Sequence, residues 1–70
     1  MMNIVEFGKL IKNRRNILEI NQQDLSEISD VALHTISDIE SGKGNPTLQV
    51  IDKLCSVLGL VIKIDIKSEE

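Results

Sequence analysis

The chain has 70 residues, a net charge of −3 at pH 7, one phenylalanine, no tryptophan or tyrosine, and one cysteine. This length fits one small domain whose core must be built from Ile, Leu and Val, and support from a partner chain is expected at this size. The single cysteine excludes an internal disulfide and is typical of a reducing compartment. No apolar run approaches the length of a membrane span and no export signal is visible, so we expect a cytoplasmic protein without a membrane partner.

The acidic balance argues against a protein that holds nucleic acid by bulk positive charge, but the charges are unevenly distributed. Residues 1–18 carry four basic side chains and one acidic one, residues 19–41 carry six acidic and no basic ones, and residues 42–70 carry four of each. Folding can therefore still collect the Lys and Arg side chains on one face of the molecule.

The first predicted element is a helix over residues 3–18. Asn3 followed by Glu6 resembles a capping box, with Asn in place of the usual Ser or Thr. Gly8 interrupts the helix, which costs stability but permits close packing. The apolar residues recur at three- and four-residue spacings, as on one side of a helix; they are Ile4, Phe7, Leu10, Ile11, Ile17 and Leu18.

A second, short helix is predicted from Asn21, a good N-cap, to about Ser29, with Asp24 near the positive helix end. Leu25 and Ile28 are expected to supply its buried side. Asp30 then occupies a turn, where Asp tolerates the left-handed conformation. Val31 follows as an anchor into the core.

A third helix is predicted from about Leu33 to Ser41, with Ile36 and Ile39 pointing inward and Gly42 ending it. Thr47 then caps a fourth helix over residues 48–58, which Gly59 ends. The apolar side of the fourth helix consists of Leu48, Ile51, Leu54, Cys55 and Leu58.

The period changes to two in residues 60–67, where Leu60, Ile62, Ile64 and Ile66 alternate with Val61, Lys63, Asp65 and Lys67. Strict alternation with β-branched residues predicts a strand, and the chain offers no second strand to pair with it. In an antiparallel pair of two copies centred on Ile64, Lys63 faces Asp65 and Ile62 faces Ile66. A parallel pair would place Lys63 opposite Lys63, so the residues favour an antiparallel homodimer.

The stretch "NQQDLSEISDVALHTISDIESGK" (residues 21–43), with Arg14, Arg15 and the later "NPTL…LCSVLG", resembles the lambda-repressor/Cro-like helix-turn-helix family, also called the XRE family, over roughly residues 7–59. The resemblance implies a mainly α, four-helix DNA-binding domain over residues 1–59. Residues 60–67 would be the dimerisation strand and residues 68–70 a tail. The strand is similar to that of HipB antitoxins, which pair with HipA-type kinase toxins. The spaced matches are Arg15, Leu18, Gln22, Leu25, Val31, Ile36, Ile39, Glu40, Gly42, Pro46 and Leu58.

The same resemblance implies roles for individual residues. Gln22 matches a glutamine that contacts a DNA phosphate, and Arg15 and Glu40 match a partly buried structural pair. The third helix matches the recognition helix of the family. Asp30 stands where the family has a glycine in the turn, and Ala32 stands where it has a polar residue that caps the recognition helix. The exposed positions of that helix, which match those that reach base edges, are Leu33, His34, Ser37 and Asp38.

The predicted second and third helices carry no basic residue, so positive charge for phosphate contacts must come from elsewhere in the chain. The candidates that we assign are Lys12, Arg14 and Lys43, with Lys9 as a further source. Because so few contacts give modest affinity, two copies on a palindromic double-stranded operator are expected. Half-sites would lie about 34–36 Å apart.

No catalytic group, metal site or cofactor is predicted. His34 is the only histidine, Cys55 lies on the inward side of another helix, and "GKGNP" lacks the Lys-Ser/Thr of a phosphate-binding loop. We therefore expect a DNA-binding repressor and not an enzyme, with a HipBA-type antitoxin as the favoured setting. Two alternatives stay open: a phage or mobile-element regulator without a toxin, and a module that docks a basic protein on its acidic face.

Overall fold

Four helices account for the folded part of the chain in the computed structural model, which describes residues 3–68. They are α1 (Ile4–Ile17), α2 (Gln22–Ser29), α3 (Leu33–Glu40) and α4 (Leu48–Leu58). Met1 and Met2 of the predicted domain and Glu69 and Glu70 of the predicted tail lie outside the described residues. The mainly α, four-helix prediction is confirmed, and its helix bounds are right to within one residue. None of these helices is long and apolar enough to cross a membrane.

Side-chain caps fix where three of the helices begin. The Glu6 amide donates to Asn3 Oδ1 at 3.0 Å, and the Thr47 hydroxyl accepts from the first turn of α4 at 3.1 Å. Asn21 and Asp24 form a full capping box, with the two reciprocal bonds at 2.7 Å and 3.1 Å. Such caps satisfy amides that have no partner inside the helix and stabilise it by about 1 kcal/mol each.

The start of α3 is different, because Ala32 offers no side-chain acceptor to its first amides. The turn before it depends on the backbone instead: Asp30 adopts the left-handed conformation at φ 61° and donates its amide to the end of α2. This is the conformation that the sequence predicted for Asp30, which carries it without the glycine usual in the family.

The core lies where the four helices meet. Helix α1 packs against α3 and α4, and α2 packs against the same two helices. This arrangement leaves the outer side of the α2–α3 pair facing solvent. The buried apolar side chains are Phe7, Ile11, Leu25, Val31, Ile36, Ile39, Leu54, Cys55 and Leu58.

Four residues expected on the buried sides are exposed: Ile17 by 58%, Leu18 by 43%, Ile28 by 63% and Leu48 by 66%. The prediction for Ile28 is wrong because the core-facing line of α2 runs from Leu25 to its i+4 neighbour and not to its i+3 neighbour. The other three lie at helix ends, at the last residues of α1 and the first residue of α4. A regular apolar spacing therefore continues past the point where a neighbouring helix covers it.

Residues 60–68 leave the end of α4 and form no strand within the described single chain. Leu60 is still tied to α4 by a backbone bond to Cys55 at 2.9 Å. Beyond it Val61, Ile64 and Ile66 are 89%, 87% and 88% exposed. The Cα radius of gyration is 12.6 Å, whereas a compact chain of this length should have about 11 Å. The predicted strand and its pairing across a dimer thus remain predictions.

Gly8 marks the closest approach between α1 and the end of α3. A Cβ atom at this position would overlap the carbonyl oxygen of Ile39 and would lie 3.3 Å from the Cα atom of Glu40. Both obstacles are backbone atoms, which cannot rotate away as a side chain can. Gly8 therefore sets the distance between α1 and α3.

We expect Gly8→Ala to lower the free energy of unfolding by about 1–3 kcal/mol through overpacking. An exposed glycine in mid-helix would respond with the opposite sign, because alanine is the better helix former by about 1 kcal/mol. Urea unfolding followed by circular dichroism measures the change. Asn13→Ala, at an exposed position of the same helix, is the control and should be neutral or stabilising. A stabilised Gly8→Ala variant would contradict the close contact.

Candidate nucleic-acid interface

Helices α2 and α3 form a rigid pair joined by residues 30–32. The Ser26 hydroxyl donates to the Val31 carbonyl across the turn at 2.6 Å. The Val31 side chain is only 5% exposed and is anchored in the core. The turn is thus held from both sides, which fixes the angle between the two helices.

One side of α3 faces solvent along its full length. Leu33, His34 and Asp38 are exposed and Ser37 is half-buried, while Ile36 and Ile39 on the opposite side are 0% and 1% exposed. The spacing of three and four residues brings the four outward side chains onto one face. The structure therefore places the four predicted base-contact residues together, on a surface free to enter a groove.

A buried ion pair connects the three helices around this surface. Arg15 on α1 donates to both carboxylate oxygens of Glu40 on α3, from Nε at 2.8 Å and from Nη2 at 2.9 Å. The two side chains are 11% and 4% exposed. Arg15 also donates to the Ile20 carbonyl at 3.0 Å. The pair predicted from the sequence is thus present as a two-bond contact that ties α1 to the end of α3.

Gln22 joins the same network from the first turn of α2. Its Nε2 atom donates to Glu40 Oε1 at 3.1 Å. An amide group has two N–H donors, so one remains for a further acceptor. Glu40 therefore holds the side chain in a fixed orientation next to α3, at the position assigned to a phosphate contact. The sequence indicated Gln22 and Glu40 separately but not their contact.

The electrostatics of the network favour the charged forms of both partners. Burial acts to raise the pKa of Glu40, but hydrogen bonds from Arg15 and Gln22 and the charges of Arg15 and Lys12 outweigh it, so the pKa lies below its ordinary value of 4.5. The bond to Glu40 raises the pKa of Arg15 despite its burial. Lys12, a predicted phosphate contact, is exposed on α1.

Lys43 follows α3 directly and is exposed. Its amide donates to the Asp38 carbonyl at 2.8 Å, which folds the loop back against the helix. A cleft of about 190 Å³ next to the exposed side of α3 is lined by His34, Asp38 and Lys43, among others. Lys43 thus brings positive charge close to α3, whose own outward side chains carry none.

Arg14, also predicted as a phosphate contact, is engaged elsewhere. Its Nε and Nη2 atoms donate to the Leu58 carbonyl at 3.1 Å and 2.9 Å. This carbonyl belongs to the last turn of α4, where backbone oxygens lack partners within the helix. Arg14 therefore ties α1 to the point where the tail leaves. The Gly59 stop signal implied free carbonyls there, but the sequence did not indicate which cation would reach them.

The acidic residues of the segment 19–41 have distinct environments. Glu40 is paired and Asp24 caps α2. Glu27 accepts from Gln23 at 3.2 Å on the exposed side of α2. Asp30 Oδ2 lies 3.9 Å from Lys53 Nζ, and this exposed ion pair contributes little to stability. Asp38 is the acidic residue that shares the outward side of α3.

Within residues 3–68, no three His, Cys, Asp or Glu side chains come close enough to hold a metal ion. His34 lies on the exposed side of α3, and Cys55 is buried on α4 with its pKa raised by burial and by the charge of Asp52. The two side chains thus lie on different elements, as the sequence predicted.

Comparison with known proteins adds to this geometry. The HTH_3 helix-turn-helix family matches residues 11–61, which contain the whole α2–turn–α3 unit. The fold is similar to the crystal structure of the restriction-modification controller protein C.AhdI from Aeromonas hydrophila. The TM-score is 0.78 and the sequence identity 26%, over 83% of this chain and 88% of that one. No curated protein matches the sequence significantly.

The ion pair makes stability depend on pH in acid. Because the pKa of Glu40 is lower in the folded chain, the pair stabilises the fold above the ordinary pKa of 4.5, and this stabilisation is lost as pH falls through the lower folded-state pKa. Its size is about 1.4 kcal/mol for each tenfold difference in proton affinity between the two states.

We expect the double variant Arg15→Met/Glu40→Leu to fold and to show a smaller loss of unfolding free energy below pH 4.5 than the wild type. The double replacement leaves neither charge buried alone. Chemical unfolding at a series of pH values measures the effect. Glu27→Gln removes an exposed carboxyl group and serves as the control, which should follow the wild type. Equal acid sensitivity in the wild type and the double variant would exclude this role of the pair.

Proposed function

The chain belongs to the HTH_3 helix-turn-helix family, and from this premise we propose that it is a sequence-specific DNA-binding repressor that acts as a homodimer. The family match and the likeness to a controller protein support a DNA-binding transcription regulator. Sequence specificity, repression and the second copy are the finer parts of the proposal.

The outward side of α3 carries the proposal. It presents four side chains in a row, and the network of Arg15, Glu40 and Gln22 holds α3 against the other helices. An α-helix fits the major groove of B-DNA, where each base pair presents its own pattern of donors and acceptors. In the proposed complex α3 lies in this groove and Gln22 donates its remaining N–H to a phosphate at the groove edge.

The base-reading residues have definable preferences. Asp38 is an acceptor and fits the amino group of cytosine, and Leu33 fits the methyl group of thymine. His34 and Ser37 can each donate or accept a hydrogen bond. Asp38 also repels phosphates, so it is tolerated only where it meets a donor on a base. An acidic residue on this face thus supports reading of particular sequences over general affinity for DNA.

Affinity must come from few cations. Lys43 lies beside α3, Lys12 is exposed on α1, and Arg14 is engaged with the Leu58 carbonyl. Because each neutralised phosphate contributes to binding through release of counterions, a single copy with so few contacts should bind weakly. A dimer doubles these contacts on one DNA molecule.

The tail offers the means of pairing. Val61, Ile64 and Ile66 are almost fully exposed in the single chain. An antiparallel pair centred on Ile64 would place Lys63 against Asp65 of the second copy twice. Its two-fold axis would present two copies of α3 to a palindromic site, with half-sites about 34–36 Å apart.

The biological setting has two candidates that share this mechanism. The resemblance of residues 60–67 to HipB antitoxins supports a toxin–antitoxin operon, in which the protein represses its own genes and binds a HipA-like kinase toxin. The second candidate is a regulator without a toxin, such as a phage or mobile-element regulator. The likeness to C.AhdI, which spans most of both chains, supports this candidate. The neighbouring gene separates these candidates.

A second candidate function is a protein-binding module. Glu19, Glu27 and Asp30 are exposed, and no basic residue lies between positions 19 and 41. A basic protein could dock on this surface, in which case α3 would have little role in binding DNA. Selection of DNA sites by the purified protein separates the two functions.

Such a selection from random duplexes tests the proposed function directly. We expect a palindrome whose half-sites lie about 10–10.5 base pairs apart, centre to centre. Asp38→Ala should relax the preference at one position in each half-site, with a drop in discrimination of about 1–3 kcal/mol. Glu27→Ala, on the other helix of the pair, should select the same palindrome as the wild type. Failure to enrich any sequence would favour the protein-binding module.

A salt series tests the assigned phosphate contacts. Replacing Lys12 or Lys43 with Ala should weaken binding and lower the slope of log affinity against log salt by about 0.9 for each phosphate that is no longer neutralised, or about 1.8 for a dimer. Fluorescence anisotropy on the selected duplex measures both quantities.

Lys53→Ala removes the same charge from α4, which packs against α1 and α2, and is the matched control. This variant should leave the slope unchanged because Lys53 is not assigned to a phosphate contact. It should also leave the fold intact, since the contact between Lys53 and Asp30 is exposed and weak. Equal slopes for all three variants would exclude Lys12 and Lys43 as phosphate contacts.

A further inference from the structure

An apolar groove of about 440 Å³ opens on the side of the molecule where the tail leaves α4. Its walls come from the start of α1, from the beginning of α4 and from the first tail residues. Phe7, Leu48, Ile51, Cys55 and Ile62 are among the residues that line it. Leu48 is 66% exposed although it lies among these apolar neighbours. The single chain therefore leaves this groove open to water.

The first three tail residues all border this groove, but they are covered to different extents. Leu60 is half-buried against the core and Ile62 is 39% exposed, whereas Val61 between them is 89% exposed. Because side chains alternate across an extended segment, Ile64 and Ile66 continue the face of Leu60 and Ile62. Within the chain itself they lie beyond the groove, at 87% and 88% exposure.

The register of the proposed dimer brings a second copy's side chain to this groove. In the antiparallel pair centred on Ile64, Ile66 of the partner subunit lies opposite Ile62 on the same face of the strands. Directly opposed residues have Cβ atoms about 4.5–5.5 Å apart. The partner's Ile66 therefore lies one strand away from a residue that lines the groove.

We propose that the groove is a docking site for a second copy of this chain and that Ile66 of the partner subunit fills it. This inference rests on the proposed homodimer and adds where the tails bind. By symmetry each copy donates one tail and receives one, so two grooves close at once. The seating covers Leu48, Ile62 and Ile66, three of the side chains that the single chain exposes.

The charges of the tail favour this occupant over an unrelated peptide. Lys63 and Asp65 lie on the opposite, solvent-facing side and are complementary to a second copy of themselves in the antiparallel orientation alone. A second copy thus satisfies the apolar face and the charged face in one register. A small apolar molecule in the groove would cover the apolar face of the tail but would leave Lys63 and Asp65 on its charged face without partners.

Cys55 makes the seating measurable. It is the chain's single cysteine and it lines the groove. Burial raises the pKa of the Cys55 thiol, so this thiol reacts more slowly than an exposed cysteine on the tail. A second cysteine placed on the tail then reports its distance from the groove of the other copy.

The experiment uses the full chain with Ile66→Cys and a short bifunctional maleimide. We expect a covalent dimer of two chains on denaturing gels, joining the new thiol of one copy to Cys55 of the other. Lys67→Cys is the matched control, one residue along and on the opposite face, and should give little covalent dimer. Cys55→Ser combined with Ile66→Cys should abolish the product, because two copies of position 66 lie about 13 Å apart along the strands.

Solution mass measured without cross-linker separates the two levels of the proposal. A wild type that weighs a single chain overturns the homodimer and the groove seating together. A wild-type dimer in which Ile66→Cys and Lys67→Cys cross-link equally, or neither does, overturns the seating alone. A native mass spectrum of the wild type could instead show a single chain with extra bound mass, together with a Cys55 thiol that is protected from modification. This result would identify a small apolar molecule as the occupant of the groove and would also overturn the seating.

Discussion

The contact between Arg15 and Glu40 is the interaction that links α1, α2 and α3 beside the outward side of α3. It buries two charges at 11% and 4% side-chain exposure, a cost that is offset only if both groups keep their hydrogen bonds. They do so by recruiting the Ile20 carbonyl and the Gln22 amide. The result is one connected set of bonds among α1, α2 and α3. Helices α2 and α3 have eight residues each and would be marginal in isolation, so this connection orients them.

The same interaction accounts for part of the acidic character of the α2–α3 segment. Glu40 belongs to the ion pair, and Asp24 stabilises the start of α2. These carboxylates act inside the fold or at a helix end and do not oppose a polyanion. Asp38 is different because it is exposed on the outward side of α3 and takes part in neither the ion pair nor a helix cap. Net charge is therefore a poor guide to the function of this domain, because Glu40 and Asp24 are engaged within the fold while other acidic residues are exposed.

The sequence predicted well what depends on local chemistry. Asn3, Asn21 and Thr47 cap the helices as expected, Asp30 is left-handed, and the bounds of all four helices were close. The sequence-based prediction failed where the environment of a residue depends on contacts with helices distant in the sequence. The exposure of Ile28 depends on the direction from which α3 and α4 cover α2, and the Arg14 bond to α4 joins residues 44 apart. The predicted strand over residues 60–67 needs a second chain to pair with, so the single chain does not test it.

The outward side of α3 takes almost no part in holding the molecule together. His34, Ser37 and Asp38 form no side-chain hydrogen bond or ion pair within residues 3–68, whereas Ile36 and Ile39 on the other side belong to the core. The residues that hold the fold and the residues proposed to contact bases are thus separate, interleaved sets along one eight-residue helix. The fold can therefore accept changes on the outward side of α3 without compensating changes in its interior, so the proposed DNA target can change independently of stability.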